Sequence, residues 1–225
     1  MKESTLEIGS LFGELAGDFT LVTGNRRLDR MLAVQYGEWR VAQGDSQWQS
    51  PDVLPWEAWL NRLWDLAGLT GVAGTEFAIP GDQQLINLWE RMLRDDVRAQ
   101  QLLSPDSLAA RLRETRKLCV EWQLDMKHPA WTSGENENHT AFSHWMRAFD
   151  ALCRRERWLA PEDRFAVLTK AFQERQLSPP AKMGLIGFDE FNPAPSALLD
   201  AIRGAGAEVD PVSPAAAGGR AALWK

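Results

Sequence analysis

Short apolar runs near both ends of the chain predict buried β-strands. Residues 19–23 are apolar and β-branched, lie between glycine-containing turns, and are followed by a helical pattern that begins near Arg26. Residues 183–188 form a second apolar run, and residues 208–212 are a candidate third strand. A strand followed by a tight turn and a helix is half of a βα unit, so the first two runs are predicted to be parallel strands of one sheet.

Between these runs the apolar residues recur with the 3.6-residue period of amphipathic helices. One helix is predicted to begin at Pro55, because proline suits a first helical position and a tryptophan-rich stripe follows it. Further helices are predicted over 83–98, up to about residue 125, over 139–158 and up to about residue 175.

These patterns predict an α/β fold in which helix predominates. The expected architecture is a small parallel sheet interrupted by a large helical insertion. We predict three segments: 1–82 in the first part of the sheet domain, 83–177 as the helical insertion, and 178–225 returning to the sheet.

Composition narrows the classes of function. The 225 residues are 44% hydrophobic and 25% charged, which is typical of a folded domain and excludes intrinsic disorder as a class. A net charge of −6 disfavours a wholly basic nucleic-acid-binding protein but allows a local basic patch. No apolar run approaches the ~18 residues of a membrane span, and no signal peptide is evident, so a cytoplasmic protein without a membrane partner is expected. The thiols of Cys119 and Cys153 are predicted to be buried.

Asp189 and Glu190 end the second apolar run and are the sharpest candidate for chemistry. An apolar strand that ends in Asp-Glu has the form of a Walker B element, in which the Asp holds Mg²⁺ and the Glu orients water. The alternative is two solvated carboxylates at a strand end. The partner motif, a G-x-x-x-x-G-K-[ST] phosphate loop, is absent from the sequence. We therefore predict no ATP hydrolysis and no bound ATP, Mg²⁺ or other metal, and treat Asp189 and Glu190 as a remnant.

The turn after the first strand is the second candidate. Thr23, Asn25, Arg26 and Arg27 stand at a predicted helix N-terminus, where backbone N–H groups and guanidinium groups bind phosphate. The alternative is an exposed helix start with solvated arginines.

The tryptophan-rich stripe of the next helix is more typical of a hydrophobic core than of a surface that stacks nucleic-acid bases.

Three segments together resemble a known family. Residues 21–32 resemble the T-x-N-[RK] strand–turn–helix (motif Ia) of superfamily 1 helicases, and residues 51–60 are similar to the helix start that follows it. Residues 187–193 resemble the Asp-Glu-[Phe/Tyr]-Gln-Asp element of motif II, with Asn192-Pro193 in place of Gln-Asp. In order, these segments resemble the N-terminal part of an AddB-like helicase–nuclease subunit, within the "probable DNA repair protein" group of inactivated helicases.

The resemblance implies a P-loop-NTPase-like 1A domain with a helical 1B insertion. It also implies that the remaining helicase parts and a C-terminal nuclease lie beyond Lys225, so the chain is expected to be a piece of a longer protein. The first functional hypothesis is a non-catalytic helicase-like domain in DNA repair or recombination. It would bind or guide single-stranded DNA and dock a catalytic helicase–nuclease subunit.

Two alternatives stay open. One is an active ATP-dependent DNA helicase or exonuclease subunit with a cryptic phosphate site near residues 23–27. The other is a helical protein-interaction module without a nucleic-acid role, which the acidic net charge favours.

Overall fold

The computed structural model describes residues 8–100, 105–131 and 137–212. Helix makes up 61% of the structure, and the strands form one small, all-parallel sheet, so the predicted α/β class with helix predominating is confirmed. The elements are α1 (Ile8–Leu15), β1 (Thr20–Thr23), α2 (Arg26–Ala42), β2 (Val53–Pro55), α3 (Trp56–Leu69), α4 (Asp82–Arg94), α5 (Val97–Gln100), α6 (Pro105–Glu121), α7 (Glu137–Glu156), α8 (Arg164–Gln173), β3 (Lys182–Ile186), α9 (Pro193–Gly204) and β4 (Glu208–Pro211).

The described strands are arranged in the order β2-β1-β3-β4. Thr23 of β1 lies opposite Pro55 of β2 on one side and opposite Ile186 of β3 on the other. The predicted parallel pairing of the two apolar runs is therefore confirmed, and β4 pairs with β3 as a parallel edge strand. Helix also predominates over 83–175, as predicted.

The prediction that Pro55 begins a helix was wrong, and strand β2 was missed. Pro55 is the last residue of β2 and the N-cap of α3, which begins at Trp56. Proline is tolerated in this strand because β2 lies at the edge of the sheet, where fewer backbone N–H groups need a partner.

The chain divides into two compact units. The first, called the sheet unit, contains Met1–Thr70, Thr169–Phe191 and Leu199–Lys225, and the second, called the helical unit, contains Gly71–Leu168 and Asn192–Leu198. The predicted division at residues 82/83 and 177/178 stays a prediction. The predicted continuation beyond Lys225 concerns a region outside the described residues.

The core of the sheet unit forms where α1 and α2 pack with β1. Leu21 of β1 is fully buried and belongs to one hydrophobic cluster with Phe12 of α1 and Leu32 of α2. Helix α1 was not predicted, because it is short and has neither an acidic residue in its first turn nor a basic residue in its last turn.

The helical unit has its own core, in which Trp89 of α4 stacks on Phe149 of α7 with ring centroids 4.1 Å apart. The helix predicted over 83–98 is interrupted between α4 and α5. Helix α4 ends at Arg94, and Asp96 accepts a hydrogen bond from the Ala99 backbone N at 2.9 Å. An aspartate that bonds a backbone N–H three residues later starts a new helix. Among the described residues, no helix has the length and apolar character that crossing a membrane requires.

Candidate functional site

Both predicted sites lie at the carboxyl ends of neighbouring strands. Helix α2 leads from β1 to β2 on one side, whereas the chain returns later to β3 on the other side of β1. The boundary between β1 and β3 is thus a topological switch point, where open α/β sheets bind their ligands. Residues 23–27 follow β1 and residues 187–191 follow β3. We call these two segments, together with Trp56 after β2, the carboxyl edge.

Two glycines close the switch point by main-chain contact. The Gly24 N–H donates to the Ile186 carbonyl at 2.9 Å. A Cβ atom placed on Gly24 would lie only 2.1 Å from the Gly187 carbonyl oxygen, and Gly187 itself has a φ of +77°. The turn after β1 is therefore only two residues long and leaves no room for a phosphate group between these glycines.

Thr23 and Asn25 have structural partners. Thr23 is fully buried, and its hydroxyl donates to the Asn25 carbonyl at 3.1 Å. The Asn25 Oδ1 atom accepts hydrogen bonds from the backbone N–H groups of Arg27 at 3.1 Å and Leu28 at 3.0 Å, which makes it the N-cap of α2. These are two of the backbone donors that the sequence offered to a phosphate, and the Asn25 side chain occupies both of them.

Arg26, Arg27 and Arg30 are exposed on the first two turns of α2. None of them forms an ion pair with a carboxylate of the described chain. Positive charge at a helix N-terminus opposes the helix dipole, at a cost of about 0.3–1 kcal/mol for each charge. Asp29 is the acidic residue in this turn. The arginines thus do not stabilise the helix and are available to an anion.

Asp189 and Glu190 are exposed between two half-buried phenylalanines. Phe188 and Phe191 lie 4.7 Å apart between ring centroids, and their packing turns the intervening carboxylates toward solvent. Within residues 8–100, 105–131 and 137–212, no partner forms a salt bridge with either carboxylate, and no three His, Cys, Asp or Glu side chains are grouped to hold a metal ion.

A buried ion network in the helical unit was missed by the sequence analysis. Arg116 of α6 contacts Asp150 of α7 at 2.9 Å and Asp163 at 2.8 Å, and it also pairs with Glu162. Arg113 pairs with the same Glu162 carboxylate at 3.1 Å. Burial raises the pKa of Asp163, and the Arg116 charge offsets that effect only in part. The network joins three separate parts of the chain, namely α6, α7 and the turn at Pro161–Asp163. The only available sequence signal was therefore the pair of arginines three residues apart on one helix face.

The two cysteines and one histidine of the helical unit do not form a functional site. Cys119 and Cys153 are buried, as predicted, and burial raises the pKa of Cys153 to about 12. The His144 imidazole lies 3.9 Å from the Asp96 carboxylate and is 62% exposed, which is not a metal-ligand arrangement.

No protein-family model matches this chain, and no curated protein matches it either. The resemblance to an AddB-like helicase subunit therefore stays a prediction that rests on the sequence motifs.

Proposed function

We propose that this chain is a non-catalytic, helicase-like domain that binds single-stranded DNA within a DNA repair or recombination helicase–nuclease. The observation that carries the proposal is the exposure of Arg26 and Arg27 at the start of α2. Both lie at the carboxyl edge, and neither forms an ion pair with a carboxylate of the described chain. Guanidinium groups at such a position suit phosphodiester oxygens, which accept charge-assisted hydrogen bonds.

The sheet supports the finer identity that we propose, a P-loop-NTPase-like domain. An acidic pair follows β3, and β3 lies next to β1 in an all-parallel sheet. An inner strand of a parallel sheet that ends in Asp-Glu has the form of a Walker B element. The segment with the T-x-N-[RK] pattern follows β1 at the same edge.

Two observations support a domain without ATPase activity. Phosphoryl transfer needs positive charge and a backbone cradle around the β- and γ-phosphates. In this chain the Gly24–Gly187 contact leaves no room for a phosphate group at the switch point, and no lysine of a phosphate loop is present in the sequence. Asp189 and Glu190 by themselves repel phosphates.

The helical unit carries an apolar groove of about 670 Å³. Its wall includes Leu118, Trp122 and Leu124, which are 51%, 54% and 48% exposed. Large exposed apolar surface marks interaction sites, so the groove supports the proposed docking of a catalytic helicase–nuclease subunit. It equally favours the second candidate function, a protein-interaction module without a nucleic-acid role.

Titration of a fluorescein-labelled oligo-dT with the full chain at several salt concentrations tests the proposal. Arg27→Ala removes one phosphate contact, so affinity is expected to fall for every base sequence. The slope of log K against log salt is expected to flatten by roughly 0.7 for single-stranded DNA. Arg203→Ala is the matched control, because it removes the same charge far from the carboxyl edge. Arg203 lies in the last turn of α9, which leads into the amino end of β4.

The outcomes separate the three hypotheses. An oligo-dT that does not bind the wild-type chain saturably at low salt contradicts the proposal and favours the interaction module. Submillimolar binding of Mg-ATP in calorimetry, or phosphate release that Glu190→Gln abolishes, supports the active motor instead.

A further inference from the structure

Three aromatic side chains meet at the carboxyl edge. Trp56 begins α3 directly after β2, Phe188 follows β3 by two residues, and Phe191 follows Phe188 by three. The Trp56 ring centroid lies 5.6 Å from that of Phe188 and 5.1 Å from that of Phe191. We call these residues the aromatic cluster.

The aromatic cluster spans the end of β1. Strands β2 and β3 both pair with β1, so their main chains are two strand spacings, or about 9.5 Å, apart. Because the rings of Trp56 and Phe188 are much closer than that, their side chains converge across the end of β1. Helix α2 and its exposed arginines begin at this same point, after the two-residue turn that follows β1.

Trp56 is less buried than the neighbouring tryptophan of the same helix. In the same helix Trp59 is only 1% exposed and belongs to the core, whereas Trp56, in contact with it at 5.0 Å between centroids, remains half-buried like Phe188 and Phe191. Aromatic side chains that reach solvent at the same edge as exposed arginines are what single-strand binding proteins offer to a base and its phosphate.

The charges at the carboxyl edge give a bound single-stranded DNA an orientation. Asp189 and Glu190 lie exposed between the two phenylalanines and repel phosphates from the end of β3. Arg26 and Arg27 attract phosphates to the start of α2. Phosphates are thus directed to one side of the edge and neutral bases to the other.

We infer that the aromatic cluster stacks on the bases of a single-stranded DNA whose phosphates contact Arg26 and Arg27. This inference rests on the proposed function and extends it, because it adds base contacts to a site otherwise defined by phosphate contacts. Stacking of this kind accepts any base, since every base has a π face.

The test compares an oligo-dT with an abasic oligonucleotide of the same length, which keeps the phosphates and lacks the bases. The wild-type chain is expected to bind the oligo-dT roughly tenfold more tightly, because stacking of one base contributes about 1–3 kcal/mol. Phe188→Leu keeps an apolar side chain but removes the ring face, so it is expected to reduce this preference severalfold with affinity for the abasic strand unchanged.

Phe77→Leu is the matched control, since it removes a half-buried ring from the helical unit, and it is expected to keep the full preference. Phe191→Leu serves as a second variant if Phe188→Leu fails to fold. Equal affinity of the wild-type chain for both oligonucleotides, or an unchanged preference in folded Phe188→Leu, overturns the inference but leaves phosphate binding by the arginines intact. If the wild-type chain binds neither oligonucleotide, the proposed function itself is wrong.

Discussion

The carboxyl edge of the sheet and the interior of the helical unit hold their charged residues in opposite ways. In the helical unit Arg116 is only 5% exposed and contacts three carboxylates. At the carboxyl edge Arg26, Arg27 and Asp189 are exposed, and no described residue forms an ion pair with them. A buried charge must be paired to be tolerated, whereas an exposed charge is free to bind a ligand. Burial therefore separates charges that stabilise this fold from charges that suit a function.

Two glycines of the sheet unit differ in the space around them. Gly24 lies at the carboxyl edge against the main chain of Gly187, whereas Gly68 lies in α3 with open space where its Cβ would be. The edge is thus rigidly packed at its backbone, although the side chains around it reach solvent. A packed backbone that presents exposed side chains is a suitable arrangement for a binding surface.

Removal of the buried cation is expected to have the largest effect on stability. Arg116→Met fills a similar volume but leaves three carboxylates without their shared partner, so the free energy of unfolding should fall by about 3–5 kcal/mol. Urea unfolding followed by circular dichroism measures it. Arg155→Met is the control, because the Arg155 side chain is 72% exposed, and its effect should stay within about 0.5 kcal/mol. Equal effects of the two substitutions would contradict the difference between buried and exposed charges.

The next largest effect is expected at the glycine contact. Gly24→Ala places a Cβ atom 2.1 Å from the Gly187 carbonyl oxygen, and the main chain cannot rotate away as a side chain does. The cost is expected near the upper end of the usual overpacking range, about 3 kcal/mol. In Gly68→Ala the new methyl group meets no atom within 4 Å, and helix propensity should stabilise the fold by about 0.5–1 kcal/mol. A lower unfolding midpoint for Gly24→Ala and a higher one for Gly68→Ala, each relative to the wild type, would support the Gly24–Gly187 contact. An unchanged midpoint for Gly24→Ala would argue against it.

Asn25 and Arg27 are neighbours at the carboxyl edge that are predicted to respond in opposite directions. Asn25→Ala removes the side-chain cap of α2 and should cost about 1 kcal/mol of stability. Arg27→Ala removes a cation from the helix N-terminus and should stabilise the fold by about 0.3–1 kcal/mol. Thermal unfolding together with the oligo-dT titration checks both, since Arg27→Ala is expected to weaken DNA binding. A loss of stability in Arg27→Ala would indicate a structural role.

The smallest effect is expected from the pH response of Asp163. Burial raises its pKa in the folded chain, so the folded state holds this proton more tightly than the unfolded state does. The stability that this residue contributes is greatest below its unfolded pKa of about 3.9 and is lost as the pH rises through the raised folded value. Asp163→Asn removes this titration, so the stability of the wild type relative to the variant should fall as the pH rises above about 4. Urea unfolding midpoints of the wild type and Asp163→Asn over a pH series measure this relative stability. A relative stability of the wild type that rises with pH would contradict the prediction.

The fold class was predictable because its signals are local. The apolar run at residues 183–188 and the periodic positions of α4 and α7 identify their elements without knowledge of any partner. Strand β2 was missed because it has only three residues and ends in Pro55, which by itself favours a helix start. The pairing of Val53 with Leu21 in the sheet, and not an intrinsic preference of that segment, makes it a strand.

Local sequence patterns identified the candidate residues: Asp189 and Glu190 after an apolar run, and Arg26 and Arg27 after another. The availability of these residues to a ligand depends on the tertiary structure. The parallel pairing of β1 and β3 joins the two segments at one edge, Gly24 closes the space between them, and Asn25 uses two of the backbone donors. The aromatic cluster and the Arg116 network likewise unite residues far apart in the chain. Burial and three-dimensional proximity depend on long-range packing, and local sequence patterns carry no information about such contacts.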